Sequence, residues 1–142
     1  MLKLFICLYS TLLSLSGYAQ SLEGEWHGYL QHDNSFPSYE NEQKLYFKLL
    51  KDSTYQVYSY CKGVKQNGED TIVIAKIIYH QPSSDSIYLQ EVEVLKPKDV
   101  INNCLVNMRL KISSEEDLQI LSGKWTSDCD AYGNTKFRRK RK

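Results

Sequence analysis

From Leu22 to Phe137, apolar and polar residues alternate in run after run, and no helical period interrupts them. Alternation of this kind predicts strands with one buried face, because successive side chains on a strand point to opposite sides. The first strand is expected over Glu23 to Gln31, with Leu22, Gly24, Trp26, Gly28 and Leu30 inward. The second, Gln43 to Leu50, puts Leu45, Phe47 and Leu49 inward and turns at Lys51-Asp52-Ser53 into the third, Thr54 to Lys62, whose inner face is Tyr55, Val57, Ser59 and Cys61. In the fourth, Thr71 to His80, Lys76 marks the outer face and leaves Val73, Ala75, Ile77 and Tyr79 inside. The fifth, Ser86 to Leu95, changes parity between Leu89 and Val92, which either a β-bulge near Gln90-Glu91 or an inward Glu91 explains.

The sixth and seventh strands form one hairpin reversing over Ser113 to Leu118. A single register sets Ile112 against Leu121, Leu110 against Gly123, Met108 against Trp125, and Cys104 against Cys129, and so predicts a disulfide. A short eighth strand follows over Asn134 to Arg138. Two segments of identical spacing, Leu22-Glu23-Gly24-Glu25-Trp26 and Leu121-Ser122-Gly123-Lys124-Trp125, act as anchors, each glycine leaving a hole for an indole or a neighbouring side chain. Eight strands joined by turns predict an all-β fold, a single eight-stranded up-and-down antiparallel barrel, with a flattened two-sheet β-sandwich as the alternative. The loops His32 to Glu42 (the longest), Gly63 to Asp70, Lys96 to Asn102 and Asp128 to Gly133 then share one rim.

The two ends of the chain add a compartment. Met1-Leu2-Lys3, an apolar run from Leu4 to Leu15 and the small residues Gly17 and Ala19 read as a signal peptide over residues 1–19, which predicts a secreted or periplasmic protein. The barrel domain is then residues 20–137 and the basic tail 138–142. In an oxidising compartment Cys104 and Cys129 pair, and Cys61 is left over, expected as a small buried thiol, with a reactive thiol or an intermolecular bridge as the alternative. A formal net charge of +1 excludes a general nucleic-acid binder, although the tail suits weak contact with an anionic surface. His27, His32 and His80 lack metal-ligand spacing and are expected on the surface. No metal, cofactor or catalytic set is predicted, and a monomer is expected.

Gly24-x-Trp26 at the start of a small eight-stranded barrel resembles the lipocalins, and Gly123-Lys124-Trp125-Thr126 is similar to the tryptophan strand of avidins. The spacing also resembles that of other small secreted bacterial L-x-G-x-W proteins. The resemblance implies a calycin-like barrel and, as in lipocalins, a basic residue near the chain end packed across the first tryptophan, here Arg138. It transfers no ligand. Two functions are compatible with such a barrel: holding a small apolar or amphipathic ligand, or binding a protein, for example inhibiting a secreted hydrolase, through the rim loops. A ligand is expected beneath the loop of residues 32–42, against Phe36 or Tyr39 and near Glu91, at the end that carries the disulfide. Interior volume separates the two readings, since an eight-stranded barrel is just wide enough to be filled or to hold one small molecule.

Overall fold

A computed structural model describes residues 21–33, 39–99 and 104–141, so the expected signal peptide and Phe36 lie outside the described residues. The strands are β1 (Gly24–His32), β2 (Tyr39–Leu49), β3 (Tyr55–Val64), β4 (Asp70–Ser83), β5 (Ser86–Lys96), β6 (Val106–Glu115), β7 (Leu118–Ser127) and β8 (Tyr132–Lys140). They pair in sequence order, and β8 pairs back with β1, which closes the barrel and rules out the sandwich. The β6–β7 register is the one expected: Ile112 faces Leu121, Leu110 faces Gly123 and Met108 faces Trp125.

Several strands run past the ends that the alternation predicts, β2 and β8 with the largest consequences for the site. Residues 40–42 at the start of β2 pair with Gln31, Leu30 and Tyr29, although both faces there are polar and read as loop. The inner face at this end is a polar mouth, so the contrast between inside and outside disappears from the sequence. The longest connection is therefore 97–105, between β5 and β6, and not the one between β1 and β2. At the other extreme β8 runs to Lys140, so Arg138, Arg139 and Lys140 are strand residues and not a free tail.

The fifth strand combines both explanations offered for its parity. Glu91 points inward opposite Ile77, and the register then slips so that Glu93 pairs with Lys76. The extra residue is Val92, just beyond the expected position, and Val94 returns to the cavity wall.

The end opposite the long connection is closed. Leu22 folds under the barrel, fully buried with Trp26, Leu45, Phe47 and Leu121, and its N–H donates to Tyr55 Oη at 2.9 Å. Phe47, Tyr55 and Tyr79 meet edge to face with centroids 5.4–6.2 Å apart. Leu49, expected inside, lies beyond this layer and is exposed. Arg139, not Arg138, lies across the Trp26 ring, its guanidinium carbon 4.1 Å from the centroid. Parity decides this: Phe137 is inward, so Arg139 follows it inward and Arg138, paired with the outward His27, faces solvent.

At the open end Cys104 and Cys129 form a disulfide with Cα atoms 5.5 Å apart and a sequence separation of 25. Closing a loop of that length removes about 3.5 kcal/mol of unfolded-state entropy in the chain-entropy model. The double substitution Cys104→Ala and Cys129→Ala is therefore expected to cost about 2–4 kcal/mol with the fold retained. Urea unfolding of the variant checks this, and an unchanged midpoint would assign the bridge no role in stability.

Candidate functional site

The upper half of the barrel holds a cavity of about 330 Å³ that opens at the disulfide end. Its apolar wall is Leu30 from β1, Val73 and Ala75 from β4, Val94 from β5, Val106 from β6 and Trp125 from β7. Its polar wall is Gln43 from β2, Glu91 from β5 and His32 from β1, with Cys61 and Cys104 completing the circuit. Wider hollows exist on the outer face, one of about 680 Å³ along Tyr88, Arg109 and Lys124 and one of about 490 Å³ along Lys44, Tyr60 and Ile72. Both are made largely of exposed or half-exposed strand residues, whereas the interior cavity brings together three buried polar groups of the barrel, His32, Gln43 and Glu91.

Glu91 is the chemical centre of the cavity. Only 7% exposed, it accepts three hydrogen bonds: from Ser59 Oγ at 2.5 Å and Gln43 Nε2 at 3.2 Å on Oε1, and from the Val106 backbone N–H at 3.0 Å on Oε2. All three partners are donors, an arrangement that suits a carboxylate. No cation pairs with it among the described residues. Burial raises its pKa, the hydrogen bonds from Ser59, Val106 and Gln43 work against that rise, and the charge of Asp128 adds to it.

Gln43, 3% exposed, spends its amide N–H on Glu91, and its Oε1 is buried without a hydrogen-bond partner among the described residues. An acceptor left bare in this way costs about 1–3 kcal/mol of desolvation.

The remaining expected site residues divide. Tyr39 opens β2 opposite His32, and its side chain, like Phe36, lies outside the described residues. His32, expected on the surface, is buried, its ring 4.7 Å from Trp125 in an edge contact and its Nε2 3.1 Å from Asn41 Nδ2. Burial lowers its pKa, so it is held neutral. Cys61 is the free thiol, pushed up to about 11 by burial and by the neighbouring Glu91 charge, and is therefore a protonated wall residue. Gln43 and Ser59 carry no alternation signal as site residues. What marks them in the sequence is only that a polar residue occupies an inward slot of an otherwise apolar strand.

The glycine holes also fall differently from the expectation. Trp125 Nε1 reaches across β8 to donate to Gln31 O at 3.0 Å, and the residue it passes over is Gly133. A Cβ on Gly133 would stand 1.6 Å from that same oxygen. At Gly123 a Cβ would meet Arg109 O at 1.9 Å, so this glycine permits close approach of two backbones. Gly24 has φ +114° and nothing nearer than Arg139 Nη1 at 3.5 Å, so there the requirement is conformational.

Replacing Glu91 with glutamine is expected to stabilise the protein by about 1–2 kcal/mol at neutral pH, since it removes a buried charge that has no cation among the described residues. The new amide oxygen keeps the Val106 N–H, and its N–H₂ meets Gln43 Oε1 and Ser59 Oγ once the Gln43 amide and the Ser59 hydroxyl turn round. The sign with pH follows from the raised pKa. The folded state holds the Glu91 proton to higher pH than the unfolded state, so stability is greatest with Glu91 protonated and is lost as pH rises through its folded pKa. The advantage of Glu91→Gln should grow over that interval, and thermal unfolding across a pH series would show a constant difference if burial of the charge were not its cause.

No protein-family model matches the chain, and no curated protein matches it. Among solved structures the chain is similar to a redesigned β-barrel, with a TM-score of 0.51 and 10% identity over 87% of this chain and 95% of that one. A de novo designed fluorescence-activating β-barrel is similar at a TM-score of 0.48 and 13% identity, over 86% and 96% respectively. At such identities the likeness concerns the fold: an all-β, closed, eight-stranded antiparallel barrel.

Proposed function

We propose that the protein binds one small amphipathic molecule in the cavity at the disulfide end of the barrel, and that it is a secreted or periplasmic binding protein and not an enzyme. The observation that carries this reading is a cavity of about 330 Å³ whose lining joins an apolar wall to three buried polar side chains, His32, Gln43 and Glu91. Ligand sites are concave, mostly apolar and carry a few placed polar groups, and their volumes begin near 300 Å³. A molecule with a single ring or a short chain suits the space. A protein-binding module acting through its rim would have its interior filled, so the cavity weighs against that alternative. The Cys104–Cys129 bridge supports an oxidising compartment. The calycin-like resemblance of Gly24-x-Trp26 agrees with a container, and the hydrogen-bond partners of Glu91 among the described residues are Gln43, Ser59 and the Val106 backbone.

The test is native mass spectrometry of the protein purified without denaturation from its host. A small molecule should be released on unfolding, and it should be lost from Val94→Phe, which fills the mouth from a half-buried wall position. Retention of the same molecule by Val94→Phe would place its site elsewhere.

A further inference from the structure

We infer that the cavity selects an organic ammonium ion: a protonated primary amine on a small apolar body. This rests on the reading of the cavity as a ligand site and adds the chemistry of its occupant.

The argument is one of unmet acceptors. Among the described residues Glu91 brings a carboxylate into the barrel without a cation, and Gln43 Oε1 beside it has no donor. A carboxylate offers about four lone-pair sites, of which Ser59, Gln43 and Val106 occupy three. An ammonium group has three donors and no acceptor, so one N–H can meet the remaining site on Glu91 and a second can meet Gln43 Oε1. It also supplies the charge that a buried carboxylate lacks, and charge-assisted hydrogen bonds are about twice as strong as neutral ones. A hydroxyl brings one donor and further acceptors, and a carboxylate ligand brings only acceptors and repulsion. A metal ion fits poorly, because one carboxylate and one amide oxygen fall well short of a calcium cage and Leu30, Val73, Ala75 and Val106 line the rest of the space.

The titratable groups around Glu91 do not supply the missing charge. On β1 His32 is neutral, on β3 Cys61 is protonated, and Lys62 at the mouth is engaged with Asp70 at 2.8 Å. Asp128 on the β7–β8 connection adds negative charge, as does Glu42 at the rim, while β4 and β6 present Val73, Ala75, Ile77 and Val106.

The test uses three probes with one aromatic skeleton, phenethylamine, phenethyl alcohol and phenylacetate, titrated into the full chain by calorimetry and by amide NMR shifts at Gln43, Glu91 and Val106. The amine is expected to bind at least about tenfold more tightly than the alcohol, and phenylacetate more weakly than either. Preference for the amine should collapse to within about threefold as pH falls through the Glu91 pKa, where the carboxyl becomes neutral while an aliphatic amine stays charged. It should also collapse to within about threefold in Glu91→Gln and in Gln43→Met, whose amide spectra show whether the barrel is retained. Equal binding of amine and alcohol by the wild-type protein would overturn the inference and leave the cavity reading intact. Amine preference that survives both substitutions would assign selectivity to the Asp128 and Glu42 rim and likewise overturn it. Failure of all three probes to shift the cavity resonances would count against the ligand site itself, and the inference would fall with it.

Discussion

Gly123→Ala is expected to remove about 4 kcal/mol or more of stability, whereas Gly24→Ala, the same change at the matching position of the other L-x-G-x-W segment, costs about 1–3 kcal/mol. The added methyl at Gly123 would lie 1.9 Å from the carbonyl oxygen of Arg109, an atom of the neighbouring strand. That oxygen belongs to the ladder between β6 and β7, so it cannot withdraw without breaking the register that also places Trp125 against Met108. At Gly24 no atom blocks the methyl, and the cost is that of holding an alanine at φ +114°. Gly28 and Gly133 belong with Gly123, since a Cβ there meets Lys136 O at 2.2 Å and Gln31 O at 1.6 Å. These three glycines sit on β1, β7 and β8, around the seam where the sheet closes on itself, and glycine kinks are one of the devices that let a sheet bend into a barrel. Since net stabilities are about 5–15 kcal/mol, the clashing variants should be largely unfolded or poorly produced. Urea midpoints of Gly24→Ala and Gly123→Ala settle the ranking, and equal losses would mean that close backbone approach is not what Gly123 is for.

The second large effect is expected at the closed end. Trp26→Ala should cost about 3–5 kcal/mol, because it empties the fully buried indole site between Phe47 and Arg139. Arg139→Ala should cost about 2–3 kcal/mol through a different loss. The Arg139 guanidinium donates to the carbonyls of Ser21, Leu22 and Glu23 and to Gln119 Oε1 at 2.7 Å, so it fastens the segment before β1 to the end of the barrel. Leu22 O also accepts from Trp26 Nε1 at 2.9 Å, which makes one carbonyl common to both anchors. Residues 21–23 should become protease-sensitive in Arg139→Ala, and Arg139→Lys should restore little, since a point charge cannot reproduce the planar fork. Arg138→Ala, one residue away on the outer face, should change stability by less than about 0.5 kcal/mol. If Arg138→Ala and Arg139→Ala lose equal stability, the clamp is not the source of either loss.

Much of the site lay beyond the reach of alternation for a specific reason. An inward polar residue near a barrel mouth looks like a loop residue, as at Asn41, or like an irregularity, as at Glu91. Glu91 was legible because the parity of β5 breaks beside it, and the disulfide because two cysteines fall opposite each other in one hairpin register. Gln43 and Ser59 became site residues only when β2, β3 and β5 curled round one space. Arg139 was displaced by one residue from the expected position because the end of β8 carries charge on both faces.

The strand count, most of the inward faces and the β6–β7 pairing were determined by the sequence by itself, since a two-residue period and a short hairpin turn act between neighbours along the chain. Closure of β8 on β1, the unmet acceptor of Gln43 and the Arg139 clamp were decided only by the tertiary structure. They join residues such as Gln31 and Trp125, or Leu22 and Arg139, whose distance in sequence leaves no local pattern, and whose meeting depends on how the closed sheet bends at its glycines.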